Sequence, residues 1–264
     1  MEERIIVLDN LRINYKIAGF NPAVLNCKKI PVLILHGWGG SSDSWVRVQE
    51  KLFESGYPVI CPDLPGFGKS ITPLETWGVQ DYSKFVFNFS KELGLKRFFI
   101  IAHSFGGRIA VKFSISHPEM VEKMILCDAA GIKPKPGIET KVIFQIAKIG
   151  NAVLSPRYLI RIKDRLRNVF YVFLRQRDYT KANETMKEII KKVLLEDLFP
   201  DLLKIKIKTL VVWGEKDKIV PLKYGRIFHK EIKNSKILIF PKIGHSPHLE
   251  CPQKLSKAII EFFV

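Results

Sequence analysis

Three side chains in this sequence have the types and the order that nucleophilic acyl transfer requires. Ser104 lies in the stretch AHSFGG, directly after the apolar run FFII. A serine hydroxyl is a poor nucleophile at neutral pH, so it needs a general base, and the base needs an acid that orients it. His245, in GHSPHLE, and Asp217, in WGEKDKIVP, supply these two types. The chain order serine, aspartate, histidine predicts a catalytic triad.

The residues around Ser104 are small, as a sharp strand-to-helix turn demands. A side chain two positions on either side of the turn would crowd the contact between strand and helix. Ala102 and Gly106 occupy those positions, where the usual form of the pattern is G-x-S-x-G. The alternative interpretation of Ser104 is a simple cap of the following helix.

The stretch HGWGGS, residues 36–41, has the composition of a loop that approaches a substrate with its backbone. Acyl transfer generates an oxyanion, which preorganised N–H groups stabilise. We assign this role to the backbone N–H groups of Trp38 and Phe105, the second being the residue after the nucleophile. Gly37, Trp38 and Gly39 are the predicted substrate-binding residues, and the Trp38 ring is expected to line the acyl pocket.

Other polar residues compete for the same roles. Asp128, in LCDAAG, also ends a predicted strand and is an alternative triad acid. His248 is the rival base. We interpret His103 as a packed, hydrogen-bonded residue that points away from the nucleophile, and His36 as a support of the oxyanion loop.

Two further patterns carry no chemistry in this interpretation. GFGKS, residues 66–70, ends like a phosphate-binding loop, but that motif requires a glycine where this chain has Asp63, and Pro65 removes an N–H donor. The histidines lack the neighbouring acid or cysteine spacing of a metal site. We therefore predict no cofactor and no metal.

The elements that must position these residues alternate regularly between strand and helix. The predicted strands are residues 4–8, 11–19, 31–37, 57–64, 97–103, 122–131, 209–214 and 236–240. Such alternation predicts an α/β fold with a mostly parallel sheet covered by helices on both faces. Since the carboxyl ends of parallel strands share one edge, the three candidate triad residues are expected to meet there.

The alternation stops between residues 132 and 200, where the pattern is mostly helical. We predict a core of residues 1–131 and 201–264 with a helical cap, residues 132–200, inserted after the sixth strand. A cap over the catalytic edge would determine specificity and exclude water.

Five ordered motifs, HGWGG, DLPGFGKS, AHSFGG, WGEKD and GHSPHLE, resemble those of the α/β-hydrolase fold superfamily across essentially the whole chain. The resemblance implies an eight-stranded sheet, a cap after strand six, and triad roles for Ser104, Asp217 and His245. HGWGG looks more like the carboxylesterase branch, which includes pimeloyl-[acyl-carrier protein] methyl ester esterase. Ring-fission C–C hydrolases rank second, because their loop is more like HGxGPG. Members with a nucleophilic aspartate, the haloalkane dehalogenases and epoxide hydrolases, do not fit Ser104.

Composition bounds the remaining possibilities. The chain has 264 residues, 47% of them hydrophobic, and four widely spaced cysteines, which read as reduced core residues. Its start has no apolar core of signal-peptide length and no apolar segment is long enough to span a bilayer, so a cytoplasmic protein is expected.

The formal charge of +17 is concentrated in part in residues 151–177, which carry seven Lys or Arg and one acid. This predicted cap segment is either a solvated basic face or a docking face for an acidic carrier protein or an anionic lipid. No nucleic-acid module accompanies the charge, so no nucleic-acid partner is expected.

These observations predict a serine hydrolase that cleaves a carboxylic ester or thioester through an acyl-enzyme intermediate. The alternatives are a C–C hydrolase of ring-fission products and a non-catalytic ligand-binding protein on the same scaffold. Because a histidine base must be neutral, activity should fall on the acidic side of roughly pH 6–7.

Overall fold

The computed structural model of the chain describes residues 1–19, 29–133 and 184–264. Its sheet has eight strands in the order β1-β2-β4-β3-β5-β6-β7-β8. The strands are β1 Glu2–Leu8, β2 Leu11–Ala18, β3 Val32–Leu35, β4 Val59–Pro62, β5 Phe98–His103, β6 Val121–Cys127, β7 Thr209–Gly214 and β8 Ser235–Phe240. β2 pairs antiparallel with β1 and β4, and every other pairing is parallel. The predicted α/β-hydrolase sheet is thus confirmed.

Helices follow most of the strands. They are α1 Val46–Glu54, α2 Val79–Glu92, α3 Phe105–Ser116, α4 Glu184–Leu195, α5 Phe199–Leu202, α6 Leu222–Glu231, α7 Pro247–Glu250 and α8 Pro252–Phe263. All these elements belong to one compact unit, Met1–Ile132 with Ala182–Val264. None of the helices in the described ranges is long and apolar enough to cross a bilayer.

The central strands are buried on both faces, which explains their continuous apolar runs. β3, β5 and β7 have no exposed residue. Alternate strand positions face the two sides, as the pleat requires. One face of the sheet packs against α1 and α8. The buried hydrophobic residues at this contact include Val32, Ile34, Val48, Leu52, Ile101, Ile125, Val212, Leu255, Ile259 and Phe263.

The structure differs from the predicted elements at a few ends. The predicted strand 31–37 is shorter in the structure, Val32–Leu35, and the chain after the loop of residues 36–41 forms a 3₁₀ turn, Ser42–Trp45, before α1. The chain between β8 and α8 contains the short helix α7. Cys251 is partly buried and packs against the core, whereas Cys61 and Cys127 are buried free thiols. Cys27 lies outside the described residues.

Of the predicted cap, residues 132–200, the structure describes 132–133 and 184–200, so its boundaries stay a prediction. Within that range α4 returns to the core and is tied to α3. The buried Arg108 side chain donates from Nη1 to the carbonyl oxygens of Val193 and Glu196, 3.0 Å each. Lys112, one turn further along α3, pairs with Glu196 and Asp201. The basic segment 151–177 lies outside the described residues.

Candidate active site

Ser104 is the residue at the turn between β5 and α3, and it is 3% exposed. Its backbone has φ 49° and ψ −108°, a conformation that residues other than glycine rarely adopt. Its N–H donates to the Cys127 carbonyl at 3.1 Å, and its own carbonyl accepts from Gly107 and Ala130, 3.0 Å each. Bonds from two neighbouring elements therefore maintain the strained turn, a form of strain that clusters at functional sites.

Gly106 allows α3 to leave this turn so close to the sheet. A Cβ atom on Gly106 would overlap the carbonyl oxygen of Leu35 and would lie 2.8 Å from that of His36. Both atoms belong to backbone, which cannot rotate away as a side chain would. The small residue that the sequence pattern demands here is thus a requirement of contact with β3.

The loop after β3 brings its backbone against the turn. A Cβ on Gly37 would lie 3.3 Å from the Cβ of Ser104 and 2.6 Å from Nδ1 of His103. The Gly37 carbonyl accepts from the His36 ring at 2.8 Å and from the Gly40 N–H at 3.0 Å. Because the peptide is planar and trans, the Trp38 N–H points away from these two donors.

The second predicted oxyanion donor is the N–H of Phe105, the first residue of α3. The first N–H groups of a helix have no partner within the helix and carry its positive dipole end. Neither this group nor the Trp38 N–H donates to another residue in the described ranges. Both predicted donors are thus available to a ligand, although their role as an oxyanion hole stays a prediction.

The Trp38 ring packs in an aromatic group beside these donors. Its centroid lies 4.8 Å from that of Phe67 and 5.3 Å from that of Phe105. Phe105 in turn packs edge-on against Tyr82 at 5.0 Å. Such edge-to-face contacts fix the orientation of the Trp38 ring, and its role as a wall of the acyl pocket stays a prediction.

Asp217 and His245 follow the adjacent strands β7 and β8 and form a hydrogen bond. Asp217 Oδ2 lies 2.8 Å from His245 Nδ1, while Oδ1 accepts the N–H groups of Ile219 and Val220 at 2.7 and 2.9 Å. The carboxylate is fully buried and the imidazole side chain is 10% exposed. A proton on Nδ1 leaves Nε2 as the acceptor, which is the tautomer a general base requires.

The loop that carries His245 is fixed by bonds from outside it. His103 Nε2 donates to the His245 carbonyl oxygen at 2.7 Å. The Glu250 carboxylate accepts the N–H groups of Gly244 at 2.8 Å and Ser246 at 3.1 Å, one on each side of His245. Burial and the neighbouring imidazoles hold the pKa of His103 well below its usual range, so His103 is a neutral donor.

Ser104 adjoins this pair through His103, whose ring centroid lies 4.8 Å from that of His245. Among the hydrogen bonds of the described residues, none joins the Ser104 hydroxyl to His245. Catalytic hydrogen bonds are often long in unliganded enzymes and tighten when substrate binds. The structure thus pairs Asp217 with His245 and places Ser104 on the same edge of the sheet, at the end of β5, with β6 between β5 and β7.

The rival residues have other partners. His248 stacks on Trp45 with ring centroids 4.4 Å apart, and burial lowers its pKa to about 3. His36 Nε2 accepts the Leu64 N–H at 2.9 Å, which ties the oxyanion loop to the chain after β4. The Asp217 carboxylate bonds to His245 and not to His248.

Asp128 lies near the pair, since donor atoms of Asp128, Asp217 and His245 fall within 4.8 Å of one another. Carboxylates and imidazole are donor types that metals accept, but Asp217 and His245 already bond to each other and Asp128 accepts the Gly214 N–H, so we assign no metal.

Two positioning residues escaped the sequence analysis. His103 was predicted to be packed and hydrogen-bonded but without a named partner, and Glu250 belonged to a quoted motif without a role. A strand end shows no sign of which carbonyl its side chain will reach. The acid six positions after Gly244 was the only available signal for Glu250.

The sheet has eight mostly parallel strands, a strained serine follows its central strand, and an aspartate–histidine pair follows its last two strands. These features define a hydrolase scaffold. A model of the alpha/beta hydrolase fold matches residues 30–252. The chain belongs to the alpha/beta hydrolase family.

Named relatives extend over most of the chain. 2-Hydroxy-6-oxo-6-phenylhexa-2,4-dienoate hydrolase of Comamonas testosteroni is 28% identical over 285 residues, 97% of this chain and 92% of the relative. Lipase 3 of Moraxella sp. (strain TA144) is 27% identical over 241 residues, 83% and 73% of the two chains. A solved membrane phospholipase A, described as a bacterial virulence factor, aligns with TM-score 0.73 and 26% identity over 99% of this chain and 85% of the other. These similarities support a hydrolase but do not select one bond type.

Proposed function

We propose that the protein hydrolyses a carboxylic ester or thioester through an acyl-enzyme formed on Ser104. The observation that carries the proposal is the 2.8 Å hydrogen bond between Asp217 and His245, on the sheet edge where Ser104 adopts its strained turn. A buried carboxylate that orients one imidazole nitrogen leaves the other free for proton transfer.

The reaction follows from these roles. His245 Nε2 takes the Ser104 proton as the serine oxygen attacks the carbonyl carbon, and the Trp38 and Phe105 amides bind the oxyanion. Collapse of the tetrahedral intermediate releases the alcohol or thiol, which leaves with the proton from His245. Water, deprotonated by His245, then attacks the acyl-enzyme and frees Ser104 with the carboxylic acid product.

A fluorophosphonate probe together with a panel of aryl esters of graded acyl length tests this proposal. We expect covalent labelling and turnover that Ser104→Ala abolishes. Ser114→Ala is the matched control, since Ser114 lies on the same helix with its hydroxyl bonded to the Val111 carbonyl. A folded wild-type protein that takes no label and turns over no ester would instead favour the ligand-binding alternative.

A second candidate is C–C hydrolysis of a ring-fission product. It is favoured by relatives named as 2-hydroxy-6-oxo-6-phenylhexa-2,4-dienoate hydrolases, from Comamonas testosteroni and Burkholderia cepacia, at 28% and 27% identity. HGWGGS argues against it, because it departs from the HGxGPG form of such loops. A higher kcat/KM for a vinylogous diketone than for every ester of the panel would favour C–C hydrolysis over ester hydrolysis.

We also propose a cytoplasmic enzyme whose residues 132–200 form a lid, with the basic segment 151–177 docking an acidic carrier protein. If so, hydrolysis of a carrier-linked methyl ester should fall steeply with added salt while hydrolysis of a small neutral ester does not. Identical salt profiles would exclude carrier docking. Salt-sensitive binding to anionic vesicles without carrier dependence would assign the segment to lipid instead.

A further inference from the structure

A second buried carboxyl group lies beside the aspartate of the proposed triad. Asp128 follows β6, is 0% exposed, and has φ 45°, another left-handed backbone at a residue other than glycine. Its N–H donates to the Val212 carbonyl and its Oδ1 accepts the Gly214 N–H, both at 2.9 Å. One backbone bond and one side-chain bond to β7 thus fix Asp128 next to the loop that carries Asp217.

Two carboxylates this close in a buried site cannot both be ionised at moderate cost. Asp217 accepts three hydrogen bonds, from two backbone N–H groups and the His245 ring. Asp128 accepts one backbone N–H, and Cys127 Sγ lies 3.7 Å from its other oxygen. The hydrogen bonds therefore select Asp217 as the anion and leave the proton on Asp128.

The electrostatics agree with this selection. Burial raises the pKa of Asp128 well above its usual range, and the charge of Asp217 raises it further against the opposing Gly214 hydrogen bond. No lysine or arginine in the described ranges pairs with Asp128. The other titratable groups that face it are the Cys127 and Cys251 thiols and His245; burial raises the pKa of both thiols, so neither adds charge.

We propose that Asp128 is a positioning residue that acts as a neutral carboxylic acid and donates a hydrogen bond to the Asp217 carboxylate. Its catalytic consequence rests on the proposed function. The donated bond holds the Asp217 carboxylate in the plane that meets His245, and it draws off part of the negative charge. Asp217 then orients the imidazole without binding the imidazolium so tightly that proton return to the leaving group is slowed.

Asp128→Asn and Asp128→Ala separate this role from simple packing. Asparagine tolerates the left-handed backbone and its amide provides both the oxygen for Gly214 and an N–H for Asp217. We expect Asp128→Asn to keep kcat within about threefold of wild type with an unchanged acid limb of the pH–rate profile. Asp128→Ala should lose about tenfold in kcat, the rate equivalent of one hydrogen bond to a charged group. Its acid limb should move to higher pH, because Asp217 then holds the imidazolium more tightly.

Infrared spectroscopy tests the protonation state without any substrate. We expect a carbonyl stretch of a protonated carboxyl group at pH 7 in the wild type that disappears in Asp128→Asn. The band should persist in Asp201→Asn, because the wild-type Asp201 carboxylate pairs with Lys112 and Lys204 and is ionised.

Three results would overturn the proposal: no such band in the wild type, an acid limb of Asp128→Asn displaced to lower pH, or an Asp128→Ala enzyme indistinguishable from wild type. A wild-type protein that shows the band but hydrolyses no substrate would refute the proposed function while supporting the neutral Asp128.

Discussion

Ser104 and His245 lie on two loops of one sheet edge, after β5 and after β8, yet different interactions fix them. The turn that holds Ser104 is defined by backbone against backbone, with Gly106 against the end of β3 and no titratable side chain in the contact. The loop that holds His245 is defined by side-chain hydrogen bonds from Asp217, His103 and Glu250. Steric contacts tolerate changes in pH but not added atoms, whereas hydrogen bonds tolerate small changes in volume but not the loss of a partner.

The largest effect should come from Asp217→Asn, which keeps the volume and removes the charge. The amide favours the wrong imidazole tautomer, so kcat should fall by about 10³- to 10⁴-fold, as in serine proteases. Steady-state hydrolysis of an aryl ester measures it. Asp43→Asn, an exposed partner of Lys16, should behave as wild type. A loss below tenfold would mean that Asp217 does not orient the base.

On the nucleophile side, Gly106→Ala should be the most damaging small change. One added methyl group meets the Leu35 and His36 carbonyl oxygens, so we expect a loss of about 1–3 kcal/mol in unfolding free energy and slower fluorophosphonate labelling. Denaturant unfolding and labelling rates measure both. Gly78→Ala is the control, because the nearest atom there is the flexible end of Lys192, 3.1 Å away. Equal stability of the two variants would contradict the steric account.

His103 lies between the Ser104 turn and the His245 loop. Two substitutions of His103 distinguish the effect of its ring volume from the effect of its hydrogen bond. His103→Phe keeps a ring but cannot donate to the His245 carbonyl, so kcat should fall about tenfold with little change in KM. His103→Gln retains an N–H donor and should recover part of the loss. Failure of glutamine to exceed phenylalanine would show that His103 acts by packing alone.

Acidification should lower the free energy of unfolding through His248, which lies in the helix after the loop that carries His245. The unfolded chain binds a proton on His248 near the ordinary value of 6.5, whereas the folded pKa is about 3. Between those values the unfolded state holds more protons, so stability is present above pH 6.5 and is lost as pH falls, by at most about 1.4 kcal/mol per pH unit. His248→Phe, which can still stack on Trp45, should flatten the fall in Tm between pH 7 and pH 4. An unchanged slope would contradict this assignment.

The smallest effect should come from Glu250→Gln. The amide keeps one acceptor oxygen for the two N–H groups beside His245, so kcat should fall only about threefold. Glu250→Ala removes both acceptors and should cost more. A kinetic series of the three proteins checks the order, and equal values for alanine and glutamine would exclude a bridging role.

The fold and the tight turn at Ser104 follow from local patterns that the sequence displays directly. Continuous apolar runs predict strands buried on both faces, and small residues around Ser104 predict a tight turn; the eight-stranded sheet confirms the fold. The hydrogen bonds of the base side do not follow in this way. They depend on strand register and side-chain direction. Examples are the contact of His103 with a carbonyl 142 positions away and the proximity of the Asp128 and Asp217 carboxyl groups. Periodicity fixes neither of these.

The tie between α3 and α4 gives the chain a natural junction. Arg108 is desolvated enough that burial lowers its pKa to about 10, and its two bonds clamp the last carbonyls of α4 to the helix that begins beside the nucleophile. The carboxyl end of α4 therefore has one defined position relative to the helix that begins beside Ser104.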